Sequence, residues 1–177
     1  NANTDSCIYW GGEGGFSAER RTQLPTQGAR EVVLADFDQD GGMDIVFLNK
    51  VEGRYGGVDY FVYWGDDEGR FSAERRASLP MISAPDAFVN ADLNGDGYAD
   101  LFYPSSPALI YWGGQDGLSP DRTATFDLPH SGYTADSADV DRDGFLDLIL
   151  SGDKVFIMYG GPEGFSSDKY QVLDLKG

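Results

Sequence analysis

Two short motifs recur along the chain in a fixed order, and their spacing constrains the fold more than any other feature. An aromatic–glycine segment occurs four times, beginning at Ile8, Val62, Ile110 and Ile157. An acidic loop of nine residues occurs three times, at 36–44, 92–100 and 139–147. The first motif recurs after 54, 48 and 47 residues and the second after 56 and 47, so both belong to one repeating unit.

Each unit carries four short apolar segments, and a period of roughly 40–50 residues with several strands is typical of a β-propeller blade. In the second complete unit these segments are residues 87–91, 101–103, 108–112 and 123–126. Some, such as Ile45–Leu48, are continuous apolar runs, which indicates that both faces of the sheet are covered. We therefore expect an all-β chain of propeller blades, each built from four antiparallel strands.

The repeats divide the chain into about three and a half blades within a single partial propeller spanning residues 1–177. We expect an outer half-blade at 1–30 and blades at 31–85, 86–133 and 134–177, with an insertion near 49–60. Closed rings have roughly four blades or more, and an open arc exposes strand edges. We therefore expect a fragment of a longer propeller, or copies that associate to close or cap the arc.

The acidic loops follow the pattern Asp-x-Asp/Asn-x-Asp-Gly-x-x-Asp, which places oxygen donors at alternate positions. Such donors suit a hard cation, and Ca²⁺ accepts about six to eight irregularly placed oxygens. An EF-hand is excluded, because position twelve is Phe47, Tyr103 or Leu150 instead of Glu and lies in a strand-like run. The alternative of solvated Asp–Gly turns would need only one or two such residues per loop.

We predict three Ca²⁺ sites, each with four side-chain ligands and a backbone carbonyl from the seventh position. Glycine at the sixth position permits the sharp turn around the ion. The side-chain ligands are Asp36, Asp38, Asp40 and Asp44 in the first loop, Asp92, Asn94, Asp96 and Asp100 in the second, and Asp139, Asp141, Asp143 and Asp147 in the third. The carbonyl ligands belong to Gly42, Tyr98 and Phe145.

The chain is strongly acidic, with a net charge of −17 from 30 acidic and 13 basic residues. The three loops hold eleven of those acids, and three bound Ca²⁺ would bring the net charge to −11. This charge argues against nucleic-acid or anionic membrane partners. The sequence contains no run of 18 apolar residues, so we expect no segment that spans a membrane. Residues Asn1–Thr4 lack the features of a leader, so we expect any export signal to have been removed.

The affinity expected of such loops indicates where the protein works. Extracellular calcium modules bind with dissociation constants of about 10⁻⁴–10⁻³ M. At millimolar calcium, a constant of about 0.1 mM stabilises the fold by roughly 1.4 kcal/mol per site. Cytosolic calcium would leave the sites empty, so we expect an extracellular or periplasmic protein, either secreted or part of a cell-surface protein.

The acidic loops, each followed by an apolar strand and an aromatic–glycine segment, resemble FG-GAP/VCBS repeats, the calcium-binding propeller blades of integrin α-subunit heads. Similar repeats occur in secreted bacterial proteins and in fungal seven-bladed lectins. The resemblance extends from about Ile8 to Leu175. It implies that each loop connects the first two strands of a blade and binds Ca²⁺ through the residues named above. It also implies seven blades, which this chain does not reach.

Three tryptophans recur at one position of the blade, and two roles are open for Trp10, Trp64 and Trp112. They either pack between blades or form a repeated aromatic platform for sugar rings, as in the lectin relatives. The insertion is the least repeat-like surface, and Arg54 and Tyr55 within it are further candidates for ligand contact.

The chain lacks a recognisable catalytic constellation, since catalysis needs a nucleophile with its base or a tuned acid–base pair. Cys7 is the only cysteine and His130 the only histidine. We therefore expect a calcium-stabilised extracellular recognition or adhesion module that binds glycan or protein through propeller loops. Two alternatives stay open: an architectural propeller segment of a larger surface protein, and an accessory domain of a secreted polysaccharide-acting enzyme.

Overall fold

The computed structural model describes residues 5–49, 58–81, 87–128 and 134–173. In these ranges the regular elements are β-strands, which confirms the all-β fold class. The strands are β1 (Ser6–Tyr9), β2 (Arg21–Leu24), β3 (Ala29–Ala35), β4 (Asp44–Asn49), β5 (Tyr60–Tyr63), β6 (Arg76–Leu79), β7 (Val89–Ala91), β8 (Asp100–Tyr103), β9 (Ala108–Tyr111), β10 (Thr123–Phe126), β11 (Thr134–Ala138), β12 (Asp147–Ser151), β13 (Val155–Met158) and β14 (Tyr170–Leu173). Arg54, Tyr55 and His130 lie outside the described residues.

The strands form three four-stranded sheets and one two-stranded sheet, all antiparallel. Each sheet takes its strands in chain order: β1-β2, β3-β4-β5-β6, β7-β8-β9-β10 and β11-β12-β13-β14. Each acidic loop joins the first strand of a four-stranded sheet to the second, and each aromatic–glycine segment begins near the end of the third strand. The repeating unit seen in the sequence is therefore one sheet.

The middle strands of the sheets carry the continuous apolar runs. Every residue of β4, β5, β8 and β9 is buried. A strand covered on both faces has no reason to alternate apolar and polar residues, which explains the runs. Outer strands such as β6 and β10 alternate between exposed and covered positions instead.

The chain divides into two compact units, one comprising Asn1–Asp36 with Asp40–Met81 and the other Phe37–Gln39 with Ile82–Gly177. In the first unit, Leu24 and Ile8 of the two-stranded sheet join a core with Phe47 and Tyr63. In the second unit, Phe126 stacks on Phe165 with ring centroids 6.1 Å apart. Neighbouring sheets thus pack through their faces within each unit, as propeller blades do; one propeller spanning residues 1–177 stays a prediction.

Candidate metal centre

The three acidic loops share one internal hydrogen-bond network. In each loop the N–H of the sixth residue donates to the first aspartate, and the N–H of the seventh donates to the fifth. The first bond joins Gly41 to Asp36 at 3.1 Å, Gly97 to Asp92 at 2.8 Å and Gly144 to Asp139 at 3.1 Å. The second joins Gly42 to Asp40 at 2.7 Å, Tyr98 to Asp96 at 2.9 Å and Phe145 to Asp143 at 2.9 Å. The three loops thus adopt the same conformation, although their sequences differ at the variable positions.

The backbone of each loop turns twice through the left-handed region. The sixth-position glycines Gly41, Gly97 and Gly144 have φ values of 91°, 94° and 95°. The fourth residue is left-handed as well, including the non-glycine residues Gln39 at 60° and Arg142 at 66°. These turns fold the alternate side chains toward one another, which is the arrangement that an oxygen-coordinated cation needs.

The ninth aspartate is a buried brace as well as a candidate ligand. Asp44, Asp100 and Asp147 have no exposed surface. Their Oδ1 atoms accept the N–H of Gly65, Gly113 and Gly160 at 3.0, 2.8 and 3.0 Å. The Oδ2 atoms of Asp100 and Asp147 accept the N–H of Leu93 and Val140 at 2.8 and 2.9 Å. This residue therefore ties the loop to the glycine that follows the third strand.

Sequence reasoning missed this bracing role, although the aromatic–glycine segment carried its signal. A Cβ atom at Gly65, Gly113 or Gly160 would collide with the backbone carbonyl of the eighth loop residue. Glycine is needed at these positions because of space, since their φ values are not left-handed. The recurring glycine and the recurring ninth aspartate are two halves of one contact.

Two of the loops gather carboxylates closely enough to share an ion. One oxygen from each of Asp36, Asp38 and Asp40 lies within 4.8 Å of the others, and the same holds for Asp139, Asp141 and Asp147. Each group contains three of the four ligands predicted for its loop; Asp44 and Asp143 are not in them.

The first loop also contains an unsatisfied acceptor. Asp36 Oδ1 is buried and has no hydrogen-bond partner. A buried carboxylate oxygen without a partner is costly unless a cation compensates it. The donor set of this loop therefore fits a hard divalent cation.

The second loop differs because Asn94 replaces an aspartate. The Asn94 amide donates to Asp96 Oδ2 at 3.0 Å, and its Oδ1 accepts the N–H of Asp96 at 2.9 Å. Hydrogen bonds of the Asn94 side-chain amide thus replace the repulsion that a second carboxylate would cause at this position. The predicted carbonyl ligands from Gly42, Tyr98 and Phe145 stay a prediction.

Two of the loop aspartates, Asp100 and Asp141, have a pKa above the ordinary value. The pKa of Asp100 is raised to about 6, chiefly by burial and also by the nearby carboxylates of Asp96 and Asp92, against the opposing effect of its backbone N–H donors. The pKa of Asp141 is raised by desolvation first and then by the other carboxylates of its loop. A bound cation would relieve this repulsion and favour the charged forms.

The tryptophans predicted as ligand candidates divide between two environments. Trp10 stacks on Phe71 with centroids 6.2 Å apart, and its indole N–H donates to Thr22 at 3.0 Å, as expected for packing between sheets. Trp112 packs against the hydrophobic core of the second compact unit, around Phe102 and Leu148, and it also lines an open cleft of about 610 Å³ with Tyr98. Trp64 is half-buried.

Comparison with known proteins supports the resemblance seen in the sequence. No curated protein matches the chain significantly. Within the described residues, no helix has the length and hydropathy of a membrane span. Residues 92–150, which contain the second and third acidic loops, match the model of the FG-GAP-like repeat family, whose repeats typically occur in extracellular, adhesion-type proteins. The resemblance to FG-GAP repeats is thereby confirmed over this part of the chain.

Proposed function

We propose that this chain is a non-catalytic, calcium-stabilised extracellular recognition module. The observation that carries the proposal is the threefold loop network, in which carboxylates converge on a common point in the first and third loops. The buried acceptor on Asp36 supports it, because a cation would satisfy that oxygen. Asp36, Asp38 and Asp40 would hold one ion, and Asp139, Asp141 and Asp147 another. In the second loop Asp92, Asp96 and Asp100 would supply the charged ligands.

Calcium in this proposal stabilises the structure and takes part in no reaction. Each loop connects the first two strands of a sheet, and its ninth aspartate accepts a hydrogen bond from the glycine that follows the third strand. A cation that fixes the loop would therefore stabilise the ends of all three strands. At about 1.4 kcal/mol per site, three sites would supply about 4 kcal/mol, a large share of the roughly 5–15 kcal/mol that stabilises a domain.

Glycan or protein would bind on the loop surface beside the second acidic loop. Trp112, Tyr98 and Arg122 line the open cleft there, and they offer an aromatic face next to polar groups. Such a combination suits both sugar rings and protein side chains. An architectural segment without a ligand, and an accessory domain of a secreted polysaccharide-acting enzyme, are the alternatives that the tests must separate.

Calorimetry on chelator-treated protein tests the metal part of the proposal. We expect Ca²⁺ to bind at up to three sites with dissociation constants of about 10⁻⁴–10⁻³ M, and to raise the melting temperature. Magnesium at the same concentration serves as the control, since it prefers strict octahedral geometry and keeps its waters. Absence of both a binding heat and a thermal shift with calcium would refute the proposal.

A glycan array in calcium, repeated with two cleft variants, tests the recognition part. Gln115→Ala changes the exposed rim and Trp112→Phe changes the aromatic face, while Glu163→Gln outside the cleft is the control. Loss of a glycan signal in the two cleft variants alone, at unchanged melting temperature, would support glycan binding. No signal for the parent chain would favour a protein ligand or the architectural role.

A further inference from the structure

The two-stranded sheet is the outer half of a four-stranded one. By repeat position, β1 corresponds to β5, β9 and β13, each of which pairs on one side with the outer strand and on the other with the strand after an acidic loop. Among the described residues, β1 pairs with β2 alone. Its residues alternate between half-buried and exposed, whereas every residue of β5 and β9 is buried.

Gly11 shows what is absent beside β1. It stands where Gly65, Gly113 and Gly160 stand in the other sheets, and those three are buried whereas Gly11 is exposed. A Cβ atom at Gly11 would meet only the Phe16 ring at 3.8 Å, an ordinary contact. At the other three it would collide with the carbonyl of an acidic loop. The space that the loop fills in three sheets is thus open at Gly11.

A cleft and a basic side chain lie beside β1. The cleft, of about 280 Å³, is lined by Ser6 and Cys7 of β1, by residues 29–32 and by Phe47. Arg20 occupies the repeat position of Arg75, whose Nη2 lies 3.8 Å from the Oδ2 of Asp40 in the acidic loop of its own sheet. A fifth-position aspartate of an incoming loop would find the same positive partner in Arg20.

We infer that the edge of β1 opposite β2 is a docking site for a partner polypeptide that presents a β-hairpin with an acidic loop. The hairpin would add two antiparallel strands by main-chain pairing, and its ninth aspartate would accept the N–H of Gly11. Among the described residues, each of the three hairpins with an acidic loop already pairs with the third strand of its own sheet, so an intact second copy is not the occupant. The inference is independent of the recognition function, because it concerns how a sheet is completed.

The register of the docked hairpin follows from the last sheet, where Leu150 lies opposite Phe156 and Ile149 opposite Ile157. Phe156 and Ile157 correspond to Cys7 and Ile8. In a docked hairpin equivalent to β11–β12, the counterpart of Leu150 would therefore lie opposite Cys7. Side chains of directly opposed residues are about 4.5–5.5 Å apart at Cβ, close enough for a disulfide with little adjustment.

The test fuses a second copy of residues 134–154 directly ahead of Ser6 in the full chain, so that the natural three-residue turn 152–154 connects the new hairpin to β1. We expect the melting temperature in calcium to rise by about 4 °C or more, because new apolar surface and a strand ladder are formed. The same fusion with Gly11→Ala should lose this rise, while Gly11→Ala in the parent chain should leave the melting temperature unchanged.

Cysteine trapping tests the register on the same fusion. Oxidised glutathione accepts the two electrons as the thiols of Cys7 and of a Leu150→Cys substitution in the added copy form a disulfide. An Ile149→Cys substitution in the added copy points to the other face and should form at least tenfold less of it. Three outcomes would overturn the inference. They are equal disulfide formation by the Leu150→Cys and Ile149→Cys fusions, an unchanged melting temperature of the fusion, and a rise in melting temperature that persists in the fusion with Gly11→Ala. Unaltered calcium binding in such a result would leave the proposed function intact.

Discussion

At the scale of single residues, the acidic loop contains carboxylates with two different tasks. Asp96 and Asp141 are exposed, whereas Asp100 and Asp147 are buried and accept hydrogen bonds from backbone N–H groups. In the sequence all four are aspartates at fixed positions of the repeat, so residue type does not distinguish them. Only the position of the ninth residue at the start of a buried strand distinguishes the buried, bracing aspartate from the exposed ones.

These two tasks predict different responses to calcium removal. Asp96→Ala should lower the melting temperature in calcium and change little in EDTA, because it removes an exposed ligand. Asp100→Ala should cost about 1–3 kcal/mol already in EDTA, because it leaves the N–H groups of Gly113 and Leu93 buried without an acceptor, and more in calcium, because a proposed ligand is also lost. Thermal and urea unfolding in the two buffers measure the difference.

Asp153→Ala provides the control for these variants, since Asp153 is exposed and lies outside the loops. It should change neither calcium dependence nor stability by more than about 0.5 kcal/mol. An equal loss for Asp96→Ala in calcium and EDTA would contradict a metal-binding role for that side chain.

The glycine that receives the brace yields a second prediction. Gly113→Ala should destabilise the protein by about 1–3 kcal/mol, because its methyl group meets the carbonyl of Ala99. Gly161→Ala is the matched control, since no atom lies within 4 Å of the Cβ position there. Urea denaturation in saturating calcium measures both variants. Equal stability of the two would show that the third strand can shift away from the loop.

At the scale of elements, the tails that begin at Phe71 and Phe165 each cover the face of a neighbouring sheet. Phe71 stacks on Trp10 and Phe165 stacks on Phe126, each within its own compact unit. Phe16 holds the same repeat position in the two-stranded sheet but is 76% exposed. The contribution of this residue therefore depends on whether a preceding sheet is present.

That contrast gives a prediction with an internal control. Phe165→Ala should cost about 2–4 kcal/mol through the loss of the aromatic stack and of buried area. Phe16→Ala should change the free energy of unfolding by less than about 0.5 kcal/mol in the parent chain. Equilibrium unfolding in calcium measures both. A large loss for Phe16→Ala would mean that its ring is covered in solution.

Sequence reasoning located the strands to within about two residues where hydrophobicity marks them. The segment predicted at 123–126 is β10 itself, and 108–112 becomes Ala108–Tyr111. The strand predicted at 87–91 is shorter, Val89–Ala91, because its early residues lie outside the pairing with β8. The acidic loops were located because their aspartates and glycines recur at fixed spacing, and metal binding by these loops stays a prediction. The bracing contact escaped because it links residues 13 or 21 positions apart through the backbone, where side-chain type gives little signal.

At the scale of the whole molecule, the net charge of −17 sets a balance between repulsion and ion binding. The loops concentrate that charge in three short segments, so self-repulsion is felt most where the sheets are connected. Both calcium and general screening by salt should therefore stabilise the protein, by different routes.

Salt dependence distinguishes these routes. In EDTA, raising sodium chloride from about 0.02 to about 0.5 M should raise the melting temperature, since the Debye length falls and loop repulsion is screened. In saturating calcium the same change should have a smaller effect, because three bound ions would already offset six of the eleven negative charges in the loops. Differential scanning calorimetry in the four conditions measures it. A salt effect of equal size with and without calcium would place the repulsion outside the acidic loops.

The chain-order arrangement of strands within every sheet has a consequence for biosynthesis. Hydrogen-bonded partners are always consecutive strands, so each sheet can form from a stretch of polypeptide that leaves the ribosome as one continuous piece. Within each compact unit, a completed sheet then presents a finished surface on which the next can fold. The order of translation is thereby also the order in which the molecule can be assembled.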